Sequence, residues 1–198
     1  MNQAEIELFH NFDIHLSTRT LYVGSVNLDD NNEDVGINAH LVDRVIKNLH
    51  ILDNDAPKGD KRINIMLNNV GGDMFHTLAL FDAIKACSNP VHIAVVGQAM
   101  SAAAILVQAA DKRFMTPNSR MMIHYGEFTF NGIAQDAYRW TEQNKENDKL
   151  MENIFLEKIQ VKHPEYTVDD IRKLCAYDKF LSAKEALELG LIDEILGD

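Results

Sequence analysis

Three side chains in this sequence are of the types that nucleophilic catalysis uses, and each stands where one kind of element gives way to another. Ser101 lies in VVGQAMSAAAILVQAA, residues 95–110, between a β-branched run and a run rich in Ala, Ile and Leu. Serine is a favoured helix N-cap, which is the ordinary reading of that position. A serine at a strand-to-helix turn can also present its hydroxyl where backbone N–H groups converge, and these favour a developing negative charge. A neutral hydroxyl is a weak nucleophile until a base takes its proton. The second reading therefore needs a base, an orienting acid and a further oxyanion donor. His124 closes the run RMMIH and has the near-neutral ring a base needs, although a lone His at a strand end is most often structural. Asp178, in YDKF, reads on its own as a solvated or capping acid. Gly71-Gly72 is either a plain turn or a place where the backbone approaches a ligand and aims an N–H at it.

The elements that must carry these residues follow from periodicity. Ile37, Leu41, Val45, Leu49 and Leu52 recur at helical spacing and predict an amphipathic helix over 35–52. Strands are expected within 16–26 and at 63–67, 91–96, 113–115 and 120–124, with helices over 74–87 and 102–110. Gly97 punctuates the third strand and Asn89-Pro90 precedes it. Residues 1–11 read as a loosely ordered lead, and the polar runs 27–34 and 53–60 as loops. From Ala134 to Lys162 runs a long helix-prone stretch without Gly or Pro, polar enough to project into solvent or between subunits. Thr167 opens a further helix. Ser182, with Glu185 three residues on and Gly190 at the far end, brackets the last one. Residues 191–196 form a strand or short helix. Strands alternating with helices imply an α/β fold, with a mostly parallel sheet covered by helices. In such sheets sites form at the carboxyl ends of strands, where Gly71-Gly72 and Ser101 both fall.

The chain of 198 residues is expected to be a single domain with a substantial core, since 46% of it is hydrophobic. A net charge of −11 argues against nucleic acid or an anionic membrane as partner. No apolar run reaches the length of a membrane span, and MNQAEIELFHNF lacks the basic and apolar regions of a secretory signal. Cys87 and Cys175 are far apart without metal-type spacing, so free thiols in a reducing, cytoplasmic setting are expected. The histidines form no metal-binding pattern, and neither a metal nor another cofactor is expected.

Three blocks, GQAMSAAA around Ser101, KRFMTPNSRMMIH ending at His124, and DKFLSAKEALELGLIDEIL from Asp178, resemble the ClpP family, the proteolytic subunits of the Clp protease. NNVGG aligns with that family's Gly-Gly element and FDIHLSTRTLYVGSV with its first strand, so the resemblance covers nearly the whole chain. It implies the ClpP/crotonase-type fold of repeated β-β-α units, with a protruding handle at about 125–162. It also implies a serine endopeptidase acting on peptides and unfolded proteins inside a ring of subunits, a heptamer or double heptamer, served by a separate AAA+ unfoldase. Carried over by position, Ser101 matches the nucleophile, His124 the base and Asp178 the orienting acid. Gly72 and Ala102 match the backbone oxyanion donors, and Gly71 and Asp73 the substrate-binding edge. The sequence departs from the family at Asn69-Val70, where Ser-Pro is usual, and at Asn64 and Met66, where tyrosines line the unfoldase pocket. It departs again at Ala176-Tyr177, where an acid-Arg pair links rings, and in the aromatic loop YGEFTFNG after His124. Here Trp140 and Phe130 are expected to supply the ring-to-ring contacts instead. Two other readings accompany this one: an inactive subunit completing a mixed ring, and a crotonase-type acyl-CoA enzyme using the Gly-Gly element.

Overall fold

The computed structural model describes residues 3–25, 36–55, 61–127 and 129–197. Those residues form seven helices and eight strands, the strands joined in one mixed sheet. The expected loop at 27–34, residues 56–60 of the loop expected at 53–60, and Phe128 lie outside the described residues, while Asp53 and Asn54 of that second loop belong instead to the helix before it. The sheet is built on β2 (Thr20–Gly24), β3 (Ile63–Asn69), β4 (Val91–Met100) and β5 (Lys112–Met115), all parallel in that spatial order. β1 (Ile14–His15) borders β2 antiparallel, and β8 (Glu194–Ile195) borders β5 in parallel.

Burial alternates along β2, β3 and the first half of β4. Leu21, Val23, Ile63, Ile65, Leu67, Val91, Ile93 and Val95 point inward, beneath α2 (Ala39–Asn54), α3 (Met74–Lys85) and α4 (Ala102–Val107). Each such side chain contributes about 1.5–3 kcal/mol by leaving water. Asn64, Met66, His92 and Ala94 face the other way and are only partly covered. The strand at 91–96 is thus buried on one face, not on both.

β4 does not stop at Gly97 as its sequence suggests. It continues to Met100 and changes partners on the way. Val95 pairs with Leu67, but Ala99 pairs with Asn69, so two extra residues are taken up in β4 at the bend. Gly97 sits there at φ 102°, a conformation that favours glycine, and a Cβ would lie 2.9 Å from the Asn68 Oδ1. Before the bend β4 borders β5; beyond it, Gln98–Met100 borders β6 (Arg120–Ile123) in parallel. β6 in turn pairs antiparallel with β7 (Lys179–Ser182), an element the sequence reading did not separate from the approach to the capped helix.

The lead before Phe12 is also a correction: residues Gln3–Phe12 form helix α1, lying on β1 with Leu8 against the core. The long polar stretch is helix α5 (Ala134–Gln160), and its two ends differ. The C-terminal half buries Met151, Ile154, Phe155 and Ile159, while Tyr138 and Trp140 in the first half are exposed. The helix therefore projects only over its first half. α6 (Val168–Cys175) and α7 (Ala183–Leu189) start in reciprocal capping boxes, Thr167 with Asp170 and Ser182 with Glu185, as the sequence predicts for the second. Gly190 ends α7 in the left-handed conformation. Among the described residues no helix is long and apolar enough to cross a membrane.

Candidate active site

Ser101, His124 and Asp178 sit at the adjoining ends of β4, β6 and β7. Met100 is in register with Met122, and the Ser101 N–H donates to the Met122 carbonyl at 2.8 Å, which ties the serine to the strand that ends at His124. Ile123 is in register with Lys179, so one step further along that antiparallel ladder His124 comes opposite Asp178. Residues 54 positions apart in sequence thereby become cross-strand neighbours.

The side chains meet. His124 Nε2 lies 2.8 Å from the Ser101 Oγ, and His124 Nδ1 lies 3.1 Å from the Asp178 Oδ1. A carboxylate only accepts, so Nδ1 carries the proton toward Asp178 and Nε2 is left free to accept from the serine hydroxyl. Ser101 does precede α4, but its side chain makes no capping bond. Its backbone stands at φ 54° and ψ −125°, a conformation rare for a residue with a side chain and typical of sites where strain fixes a reactive group. The capping reading of Ser101 is therefore replaced by the bond to His124. The His124 side chain is 20% exposed and that of Asp178 61%.

The Gly-Gly element packs directly on this serine. Gly71 has φ 96°, and a Cβ there would come within 2.8 Å of the Ser101 Cβ and 2.6 Å of the Met100 carbonyl. Gly72 forms a parallel bridge with Ile37, in which the Ile37 N–H donates to the Gly71 carbonyl and the Asp73 N–H to the Ile37 carbonyl. Those two bonds use the groups flanking Gly72, so its own N–H points away from Ile37. Ala102 begins α4, and its N–H belongs to the first turn, where no intrahelical acceptor exists. Gly72 and Ala102 both line the cleft into which Ser101 opens. Asp73 lines it too, while its Oδ1 accepts the His76 N–H at 2.9 Å as the cap of α3.

Asn69, which the sequence marks only as a departure from the family's usual Ser-Pro, has a role of its own. It is fully buried, donates from Nδ2 to the Gly24 carbonyl at 2.7 Å, and accepts the Gly71 N–H on Oδ1 at 2.8 Å. The adjacent Val70 N–H donates to the Ser25 Oγ at 2.9 Å. These bonds hold the turn that a proline would otherwise stiffen. The readable signal was an Asn two residues before a Gly, the spacing at which Asn side chains bond the backbone of turns.

The cleft, about 940 Å³, is walled by Met74 and Phe75 of α3, by Ile105 of α4, and by Trp140 and Asn144 of α5. Trp140 meets Phe75 edge to face, with ring centroids 6.3 Å apart. Phe130 lines the same cleft. The two aromatics expected at a ring-to-ring contact thus flank Ser101 within one subunit. A cleft with both apolar and polar walls, opening on a serine bonded to an imidazole, is suited to acyl transfer.

The comparisons with known proteins follow the same line. A family model described as Clp protease matches residues 32–198. A curated relative, the ATP-dependent Clp protease proteolytic subunit of Deinococcus radiodurans, is 31% identical over 190 residues, which covers 93% of this chain and 85% of that protein.

Proposed function

Because this chain belongs to the Clp protease family, we propose that it is a serine endopeptidase subunit that hydrolyses peptides and unfolded polypeptide. The observation that carries the reading is the chain of contacts Ser101 Oγ–His124 Nε2–His124 Nδ1–Asp178 Oδ1, at 2.8 and 3.1 Å. Ser101 attacks the scissile carbonyl while His124 Nε2 takes its proton, and Asp178 holds the ring in the tautomer that can do so. The N–H groups of Gly72 and Ala102 receive the oxyanion of the tetrahedral intermediate. His124 then gives the proton to the departing amine, leaving an acyl-enzyme on Ser101. Water, deprotonated by the same His124, releases the acid. Gly71, packed against Ser101, and Asp73, which lines the cleft, are assigned to the edge along which the substrate backbone lies, and the cleft between α3 and α5 receives its side chains.

Assembly belongs to the same proposal. Ile133, Tyr138 and Leu150 of the handle region are exposed, and a second copy of the chain in a heptamer or double heptamer is what covers them. The relative is named ATP-dependent, and we assign the ATPase to a separate AAA+ unfoldase in the cytoplasm. The partly exposed Met66 and Asn64 on β3 give that partner a different surface from a tyrosine-lined one. The acyl-CoA reading has no use for a serine bonded to a histidine, and the inactive-subunit reading is less well supported by a contact at 2.8 Å.

Labelling with a fluorophosphonate probe tests the proposal. Wild type is expected to label and to cleave a fluorogenic peptide, and Ser101→Ala to do neither while keeping its circular dichroism. Near-normal peptide turnover by Ser101→Ala would remove the assignment.

A further inference from the structure

Glu152 is the one carboxylate among the described buried polar residues, and nothing in the triad uses it. It sits on α5, next to Met151 and one turn before Phe155, which anchor the helix, and its side chain is 6% exposed. Such a group is costly to bury unless its oxygens are engaged. Its partners are the Tyr125 hydroxyl, which donates at 2.5 Å, and the Arg172 Nε, which donates at 3.1 Å from α6. Tyr125 is the residue after His124. Its main-chain N–H donates to the Cys175 carbonyl at 3.1 Å, on the segment that reaches Asp178 three residues later. One tyrosine therefore touches, through main chain and side chain, the segment that leads to the acid and the helix that walls the cleft.

We propose that Tyr125 and Glu152 are positioning residues that hold His124 and Asp178 in register from behind, an inference that rests on the serine-protease reading above. The physical need is visible at Asp178, which is 61% exposed and so is not held in place by packing. Burial first, then the bond to Glu152 and its charge, push the Tyr125 phenol well above its ordinary range, so it remains a donor. Arg172 balances that charge from the surface while also bonding Asp169 at 3.1 Å, which fixes the start of α6. A displacement of the segment before Asp178 is resisted at both ends of this short network. Misplacement of a catalytic group by about 1 Å is enough to cost up to a hundredfold in rate. Neither Tyr125 nor Glu152 lines the cleft, so substrate affinity should be left alone.

The test is a set of steady-state measurements on the assembled protein with a fluorogenic peptide, beside thermal melting and fluorophosphonate labelling of Ser101. Tyr125→Phe removes only the hydroxyl and is expected to lower kcat about tenfold or more, with KM unchanged. Glu152→Gln keeps an acceptor for the hydroxyl and is expected to retain most of kcat, whereas Glu152→Leu, which offers none, should match Tyr125→Phe. Tyr125→Phe with wild-type kcat overturns the inference, and so does a loss in which kcat, KM and melting temperature all move together. If wild type does not label and Ser101→Ala changes nothing, the serine-protease reading itself falls, a result distinct from either of those.

Discussion

On the glycine side of the site the working groups are main chain, held by buried bonds: Asn69 to Gly71 and Gly24, Val70 to Ser25, and the Gly72 bridge to Ile37. On the acid side the last member is a single side chain, mostly in water, whose place depends on the β6–β7 ladder and on the residues behind it. Preorganised backbone donors need no rearrangement when charge develops, so rigidity is valuable on the first side. The acid fixes the tautomer and orientation of the His124 ring and steadies its protonated form, and water can partly stand in for it. The two sides should therefore fail differently when they are altered.

The largest effect is expected at Asp178. An Asn amide can donate to His124 Nδ1 and so enforce the tautomer that cannot take the serine proton, and Asp178→Asn should lower kcat by about 10⁴. Asp178→Ala leaves the exposed Nδ1 to water and should be about tenfold more active than Asp178→Asn, reversing the usual order in which the closer mimic is milder. Equal activities, measured side by side by peptide hydrolysis, would mean that exposure of the acid has no bearing on its role. Next comes Gly72→Ala. Its Cβ would lie 2.4 Å from the Ile37 carbonyl oxygen, and the backbone stands at φ 150°, so the donor must shift. A loss of about 10² to 10³ in kcat is expected, with little change in far-ultraviolet circular dichroism. Retained turnover would remove Gly72 from the oxyanion hole. The smallest effect is expected for Asn69→Ala, which leaves the Gly71 N–H and Gly24 carbonyl without their partner: about tenfold in kcat and about 2 kcal/mol in stability by urea unfolding. If stability falls and kcat does not, the turn is held by Ile37 alone.

Much of this site was legible before the fold. The β-branched run before Ser101 and the helix after it placed the serine correctly, and Asn-Pro, Gly-Gly and the Ser182 capping box marked their boundaries as expected. The strand that follows Asp178 was not legible. β7 is four residues long with two exposed positions in sequence, too short and too exposed to show a period of two. Gly97 misled for a related reason. A glycine normally ends a strand, and nothing local reveals that this strand continues with a new neighbour. The projecting reading of α5 fits its first half only, because the second half buries Met151, Ile154, Phe155 and Ile159. Even in the first half Trp140 finds Phe75, a partner 65 positions away that no helical pattern encodes. Asn69 and Glu152 share that character. Their roles lie in distant partners, Gly24 and Arg172, and not in their own surroundings along the chain.

The pairing of β6 with β7 has one more consequence. Everything from His124 to Asp178, including both helices α5 and α6, is an excursion that leaves the sheet and returns to the same place. Its two ends are fixed by the ladder rather than by its contour. The entropy of closing such a loop rises only with the logarithm of its length, so even doubling it would cost about 0.6 kcal/mol. Insertions into the exposed first half of α5 could therefore accumulate almost freely over evolutionary time, or be grafted by design, without pulling the base and the acid apart.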